Sequence, residues 1–285
     1  MSLRVWAAAA LCLLAAPTAA QTSASFPSQG DDDTGLPLWE LGAGVGAAVT
    51  PDYPSASGTT ARVLPLPVVV YRGDFLRLGD GSAASGRLFR NERMELDLSL
   101  NGSFDAESDD VGAREGMPDL GFIFEIGPEL EIILTDPAVT DRRLKLELPV
   151  RAAFSLDDRK INTRGFVFSP QLEYEREFGD GYEWSASITT SMASRDLHDY
   201  FYSVTPEFET PVRAAYDARG GYLQSTLGFT LQKRTDKTFS AIGLRVSSLD
   251  GAANSASPLF RSREDVSVFA LWVVQLWQSE KRVEP

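Results

Sequence analysis

Residues 165–193 read GFVFSPQLEYEREFGDGYEWSASITTSMA, two alternating runs joined by a tight turn. In the first run Phe166, Phe168, Leu172, Tyr174 and Phe178 share one side, and Ser169, Gln171, Glu173, Glu175 and Glu177 share the other. Gly179-Asp180-Gly181 marks a hairpin turn. Beyond it Tyr182, Trp184, Ala186, Ile188, Thr190 and Met192 oppose Glu183, Ser185, Ser187, Thr189 and Ser191. Strands of soluble sheets are about 5–6 residues long. These runs are roughly twice that, the length of a tilted strand crossing a bilayer, and their aromatics gather where the run meets the turn.

The same period recurs along the chain. Trp39, Leu41, Ala43, Val45, Ala47 and Val49 oppose Glu40 and three glycines; Met94, Leu96, Leu98 and Leu100 oppose Glu95, Asp97, Ser99 and Asn101. Phe122, Phe124, Ile126, Leu130 and Ile132 stand against Glu125, Glu129 and Glu131, and Leu144, Leu146 and Leu148 against Lys145, Glu147 and Arg151. Later, Leu227, Phe229 and Leu231 oppose Thr230, Gln232 and Arg234. Residues 266–277 are apolar on both faces, so periodicity does not orient that run. Two prolines in the second strand, Pro65 and Pro67, predict a bulge or locally open pairing, because each removes a ladder donor.

The connectors alternate long and short: 50–59, 72–74, 79–86, 91–92, 105–118, 135–141, 155–164, 179–181, 194–220, 235–236 and 250–264. A barrel with long outer loops and short periplasmic turns has this parity. The fold expected is therefore all-β: a transmembrane, antiparallel up-and-down β-barrel of about twelve strands, with both termini on the periplasmic side.

Residues 1–20 carry one charge, Arg4, an apolar run and then Thr18-Ala19-Ala20, the pattern of a cleaved secretory signal peptide. Residues 21–37 read as a mobile periplasmic segment, 38–278 as the barrel and 279–285 as a tail. The acidic run Asp31-Asp32-Asp33 lacks the spacing of a calcium loop and reads as solvated. The single cysteine, Cys12, leaves with the signal peptide, so the mature chain has no disulfide or thiolate chemistry. Loss of Arg4 takes the formal charge from −13 to −14. Such acidity argues against nucleic acid as a partner, since phosphate binding needs a basic face. The chain is thus expected in the outer membrane of a Gram-negative bacterium, exported by the general secretory route.

Nothing in the pattern asks for a cofactor, a metal or a catalytic role. One histidine makes a zinc site improbable. That residue, His198, sits in the longest outer loop near Ser194, Asp196 and Asp199, and reads as an exposed loop histidine rather than part of a triad. The alternation aims Glu95, Asp97, Glu125, Glu129, Glu131, Glu147, Glu173, Glu175, Glu177 and Glu183 into the lumen, with Lys145, Arg151 and Arg234 partly offsetting them. Read plainly, these groups fill a closed barrel's wet interior with cross-strand pairs or leave room for an inward-folded loop; read more sharply, they line a cation-favouring pore.

Residues 40–71, containing LGAGVGAAVTPDYPSASGTTARVLPLPVVVY, resemble the N-terminal strands of the MltA-interacting protein (MipA/OmpV) family: a glycine-rich strand, a Pro-x-Tyr loop, then Leu-Pro-x-Pro. Residues 117–128 (MPDLGFIFEIGP), 199–204 (DYFYSV) and 256–259 (ASPL) resemble its later motifs, in order. Family members end on an aromatic that closes the last strand and is read by the barrel-assembly machinery; Trp277 holds such a position here, and QSEKRVEP follows it. The resemblance implies an outer-membrane scaffold, embedded in lipid, bridging a murein transglycosylase and a murein synthase. It carries over no catalytic or binding residues. The alternative is a small porin-like channel.

Overall fold

The computed structural model describes residues 36–73, 76–78, 84–86, 89–91, 93–103, 112–136, 139, 141 to 283. The expected signal peptide, most of the N-terminal segment and parts of five connectors (72–74, 79–86, 91–92, 105–118 and 135–141) lie outside them.

The strands, in chain order, are β1 (Leu36–Pro37), β2 (Trp39–Pro51), β3 (Thr59–Arg72), β4 (Leu76–Leu78), β5 (Ala84–Gly86), β6 (Phe89–Arg90), β7 (Met94–Ser103), β8 (Phe122–Ile133), β9 (Arg142–Asp157), β10 (Lys160–Phe168), β11 (Gln171–Phe178), β12 (Tyr182–Ala193), β13 (Gly221–Arg234), β14 (Thr238–Ser248), β15 (Glu264–Gln278) and β16 (Arg282–Val283). Among the described residues one α-helix, α1 (Arg195–Tyr202), interrupts them after β12. Fourteen strands form one sheet, running from β5 through β4, β3, β2, β15, β14, β13, β12, β10, β9, β8 and β7 to β6, with β11 between β9 and β12. The first long strand pairs with the last, and the two ends of the path, β5 and β6, follow one another in the chain. The sheet therefore curls round on itself as an antiparallel barrel. Counting β5 with β6 and β10 with β11 as single strands broken in two leaves twelve wall positions, fourteen less two.

Alternation builds the wall. Outward side chains such as Val63, Phe166, Leu227, Phe229, Ile242 and Trp272 are exposed, while their sequence neighbours face the lumen. An apolar girdle of this extent has no place in water but suits lipid, where closure leaves no unpaired edge. At the short-turn end Tyr174, Trp184 and Phe229 form a chain of rings (centroids 5.3 and 6.1 Å apart), and Phe178 stacks on Tyr182 at 5.5 Å.

Several local expectations need correction. The connector expected over 155–164 is a two-residue turn, Asp158-Arg159, between β9 and β10. Both residues have positive φ (47° and 66°), the backbone whose twist matches a hairpin. Long strands replace the long loop. The first run of the quoted hairpin starts earlier, at Lys160, and breaks at Ser169-Pro170; a bulge near Gly165 precedes the break. Of the third and fourth strands expected over 75–78 and 87–90, residues 75, 87 and 88 lie outside the described residues; the rest form the short β4 and β6, with β5 inside the connector expected over 79–86.

Pro65 and Pro67 cause no bulge. The β2–β3 register is continuous from Trp39↔Tyr71 to Pro51↔Thr59. Arg72 donates its N–H to Leu38 O (2.8 Å), so even-numbered residues of β3 aim their donors at β2 and odd-numbered ones aim away. Both prolines are odd. On that far side β4 meets only Tyr71 and Arg72, and among the described residues no strand pairs with the rest. The missing donors fall where no ladder asks for them.

The chain ends also meet. β1 pairs with β16, Leu38 donates to Lys281 O (2.9 Å) and Ser279 donates to Trp39 O (2.9 Å). The end of the N-terminal segment and the tail thus form a small two-stranded sheet at the short-turn end of the barrel. Just inside it Glu40 and Arg72, both buried, form an ion pair; Arg72 also donates to Pro37 O (2.9 Å) and Gln275 to Glu40 (2.7 Å).

Candidate functional site

The mouth at the long-loop end is stoppered. In α1 the residues Leu197, His198, Phe201 and Tyr202 recur at helical spacing and are all buried, whereas Arg195, Asp196 and Asp199 lie on the other face. The buried stripe joins a core with Tyr53, Leu120, Ile123, Ala153, Val167 and Leu223, so the loop packs into the barrel instead of standing over it. Polar contacts rivet it on several sides. Tyr202 donates to Pro54 O (2.9 Å), Ser257 to Tyr202 O (2.7 Å), Tyr200 to Asp157 (2.6 Å), Arg114 to Phe201 O (3.3 Å) and Tyr53 to Leu259 O (2.6 Å). Arg164 stacks on the Tyr200 ring at 4.0 Å. Burial pushes the Tyr53 phenol up to about 12 and raises that of Tyr202, keeping both as donors.

His198 is not the exposed loop residue expected; it is 1% exposed. Its Nε2 lies 3.1 Å from Gly221 O, its Nδ1 has no partner, and burial holds the imidazole below its ordinary value. Ser194 instead accepts from the Phe166 N–H (3.0 Å), and Asp199 accepts from Ser203 (2.9 Å). Among the described residues no side-chain hydrogen bond joins the His198 imidazole to Ser194, Asp196 or Asp199; only the His198 backbone N–H donates to Ser194 O (3.3 Å).

Below the stopper the lumen divides into two half-walls. One is charged. Lys145 touches Glu175 (2.7 Å), Glu147 (3.3 Å), Glu173 (3.3 Å) and Glu131 (3.8 Å). Arg151 binds Glu129 at 2.5 Å and Ser99 at 2.7 Å. Glu95 and Asp97 are half-buried on β7, opposite Glu131 and Glu129 in register. Asn101 donates to Glu125 (3.0 Å), and Gln232 donates to Glu183. Arg234 lies 5.6 Å from the centroid of the Phe239 ring. Glu177 is exposed at the lip beside the turn, not enclosed. Glu129, Glu147 and Glu173 are buried, so these ion pairs are enclosed. Like charges face one another across the ladders (Glu131↔Glu147), an arrangement that needs Lys145 among them.

The other half-wall is apolar, which the alternation did not foresee. Val68, Val70, Phe239, Ala241 and Val273 are buried together, with Leu66, Phe269 and Leu271 against them. Pairing with β14 and β2 orients β15, turning Phe269, Leu271 and Val273 inward and Val268, Ala270 and Trp272 out. Arg245 also faces the lumen, another position that sequence reading passed over. Its signal was available, since it is the odd member among Ile242, Leu244 and Val246.

The chain resembles an outer-membrane channel of Pseudomonas putida F1 at 13% identity, covering 88% of this chain and 100% of that one, TM-score 0.48. It resembles the Pseudomonas putida toluene transporter TodX at 9% identity (89% and 95% covered, TM-score 0.36) and the outer-membrane OmpT of Vibrio cholerae at 8% identity (87% and 99% covered, TM-score 0.37). No curated protein matches it. The family model for MltA-interacting protein MipA matches residues 43–273, almost the whole barrel. This outer-membrane β-barrel therefore belongs to the MipA family.

Proposed function

We propose that this barrel is a scaffold that anchors murein-remodelling enzymes, a transglycosylase and a murein synthase, at the periplasmic face of the outer membrane. The observation that carries the reading is the ordered periplasmic platform. β1 and β16 pair there, tied to the wall by Leu38, Trp39 and Ser279 and braced by the buried Glu40–Arg72 pair. The interior supports it too: α1 stoppers the mouth, and enclosed ion pairs with an apolar cluster crowd the lower lumen. The family's description, MltA-interacting, names the first partner to try. In this reading the leader in residues 1–20 sends the chain through the general secretory route, the barrel-assembly machinery inserts it, and lipid surrounds its wall.

The test is a pull-down of the murein transglycosylase by the full mature chain and by a chain ending at Gln278. Capture by the first and loss with the second supports the platform; equal capture by both refutes it. A second reading, a small cation-favouring channel, draws on the acidic half-wall. It requires reproducible cation-selective steps in planar bilayers, reduced by Glu125→Gln, a substitution that breaks no ion pair.

A further inference from the structure

Arg245 stands apart from the other inward cations. Lys145, Arg151, Arg164 and Arg72 each hold a carboxylate. Arg245 pairs across the ladders with Gly228 on β13 and Ser267 on β15, and its same-face neighbours along β14 are Gly243 and Ser247. None of these offers a charge. Among the described residues the Arg245 side chain makes no hydrogen bond or ion pair. The carboxylate whose field reaches it, Glu173, is already bound to Lys145 at 3.3 Å. A half-buried guanidinium with five donors and no acceptor is an unfilled demand.

It opens into a cavity of roughly 190 Å³ directly under the stopper. Tyr53, Leu197, Phe201 and Leu223 give that cavity an apolar roof. Three carboxylates also line it, each accepting a hydrogen bond from a neutral donor: Thr60 donates to Asp52 (2.6 Å), Asn101 to Glu125 (3.0 Å) and the Ser55 N–H to Asp265 (2.9 Å). The charge of these carboxylates weighs most against multiply charged anions, whereas the free fork of Arg245 matches one carboxylate in two-point geometry.

We propose that the cavity beneath α1 binds a small organic monocarboxylate, its carboxylate on Arg245 and its apolar part against Tyr53, Leu197 and Phe201. This site is independent of the periplasmic platform and would exist whether or not that platform holds an enzyme.

The test is calorimetric titration of the full mature chain in detergent with benzoate, and with benzylamine, which has a similar shape and the opposite charge. Benzoate binds and benzylamine does not. Arg245→Gln weakens benzoate at least about tenfold, as loss of a charge-assisted two-point contact requires. Ser267→Asp keeps the arginine but sets an internal carboxylate across the ladder from it, so it too abolishes binding; it decides the matter if Arg245→Gln does not fold. Absence of benzoate binding, binding of benzylamine as tight as that of benzoate, or undiminished binding in the variants overturns the proposal.

Discussion

Replacing Lys145 by methionine tests the lumen's charge economy most directly. Lys145 is the hub of four carboxylates, at 2.7, 3.3, 3.3 and 3.8 Å. They are not equal. The side chains of Glu173 and Glu147 are only 4% and 7% exposed, whereas Glu175 and Glu131 keep 22% and 28%. Removing one partner of a buried pair costs about 3–5 kcal/mol, because the other charge is stranded away from water. Lys145→Met strands the two enclosed glutamates, so the whole of that range is expected. In a Glu147→Gln/Glu173→Gln background the same substitution strands only the half-exposed pair, where screening leaves about 0–1 kcal/mol. The cycle therefore predicts a coupling of at least about 2 kcal/mol. Urea unfolding in lipid vesicles, followed by tryptophan fluorescence, reads it. A cost below about 1 kcal/mol in the parent chain, or an equal cost in both backgrounds, would refute an enclosed charge hub.

Three further outcomes follow from the geometry. Phe124 faces lipid and stacks on Phe154 at 5.3 Å, so Phe124→Arg should cost roughly 2–4 kcal/mol if it lies near the midplane, and Glu125→Gln, one residue along and inward, far less; equal damage would mean the faces are reversed. Val212 is 91% exposed on the outer loop and Asp180 lies in a short turn at the other end, so in intact cells an impermeant maleimide should label Val212→Cys and spare Asp180→Cys, and the opposite labelling would invert the topology. His198 is held below its ordinary value of 6.5 by burial, opposed by its hydrogen bond with Gly221 O and, less, by Asp199. A buried base kept neutral adds full stability above that value and loses it as pH falls through and below it. Hydrogen exchange of residues 195–202, corrected for intrinsic rates, should accelerate on acidification in the parent chain and not in His198→Gln; identical profiles would show that another group controls the stopper.

The wall was legible in the sequence because a strand's side chains alternate with period two, and lipid on one side enforces that period residue by residue. The quoted hairpin, the outward faces of β2, β7, β8 and β9, and most of the loop parity follow from local spacing alone. What lies inside the barrel depends on which strands stand opposite one another, and periodicity holds no such information. Residues 266–277, apolar on both faces, could be turned inward or outward until the ladders with β14 and β2 set their register. Val68, Phe239 and Val273 became a lumenal cluster only when strands far apart in sequence closed the ring. The Asp158-Arg159 turn was misread as a loop because the polar ends of β9 and β10 rise past the apolar girdle, where alternation no longer marks a strand. His198 shows the same limit. Its loop is polar in sequence, yet Leu197, Phe201 and Tyr202 recur at helical spacing. Only the closed barrel supplies an apolar mouth deep enough to bury that stripe and exclude water from the imidazole.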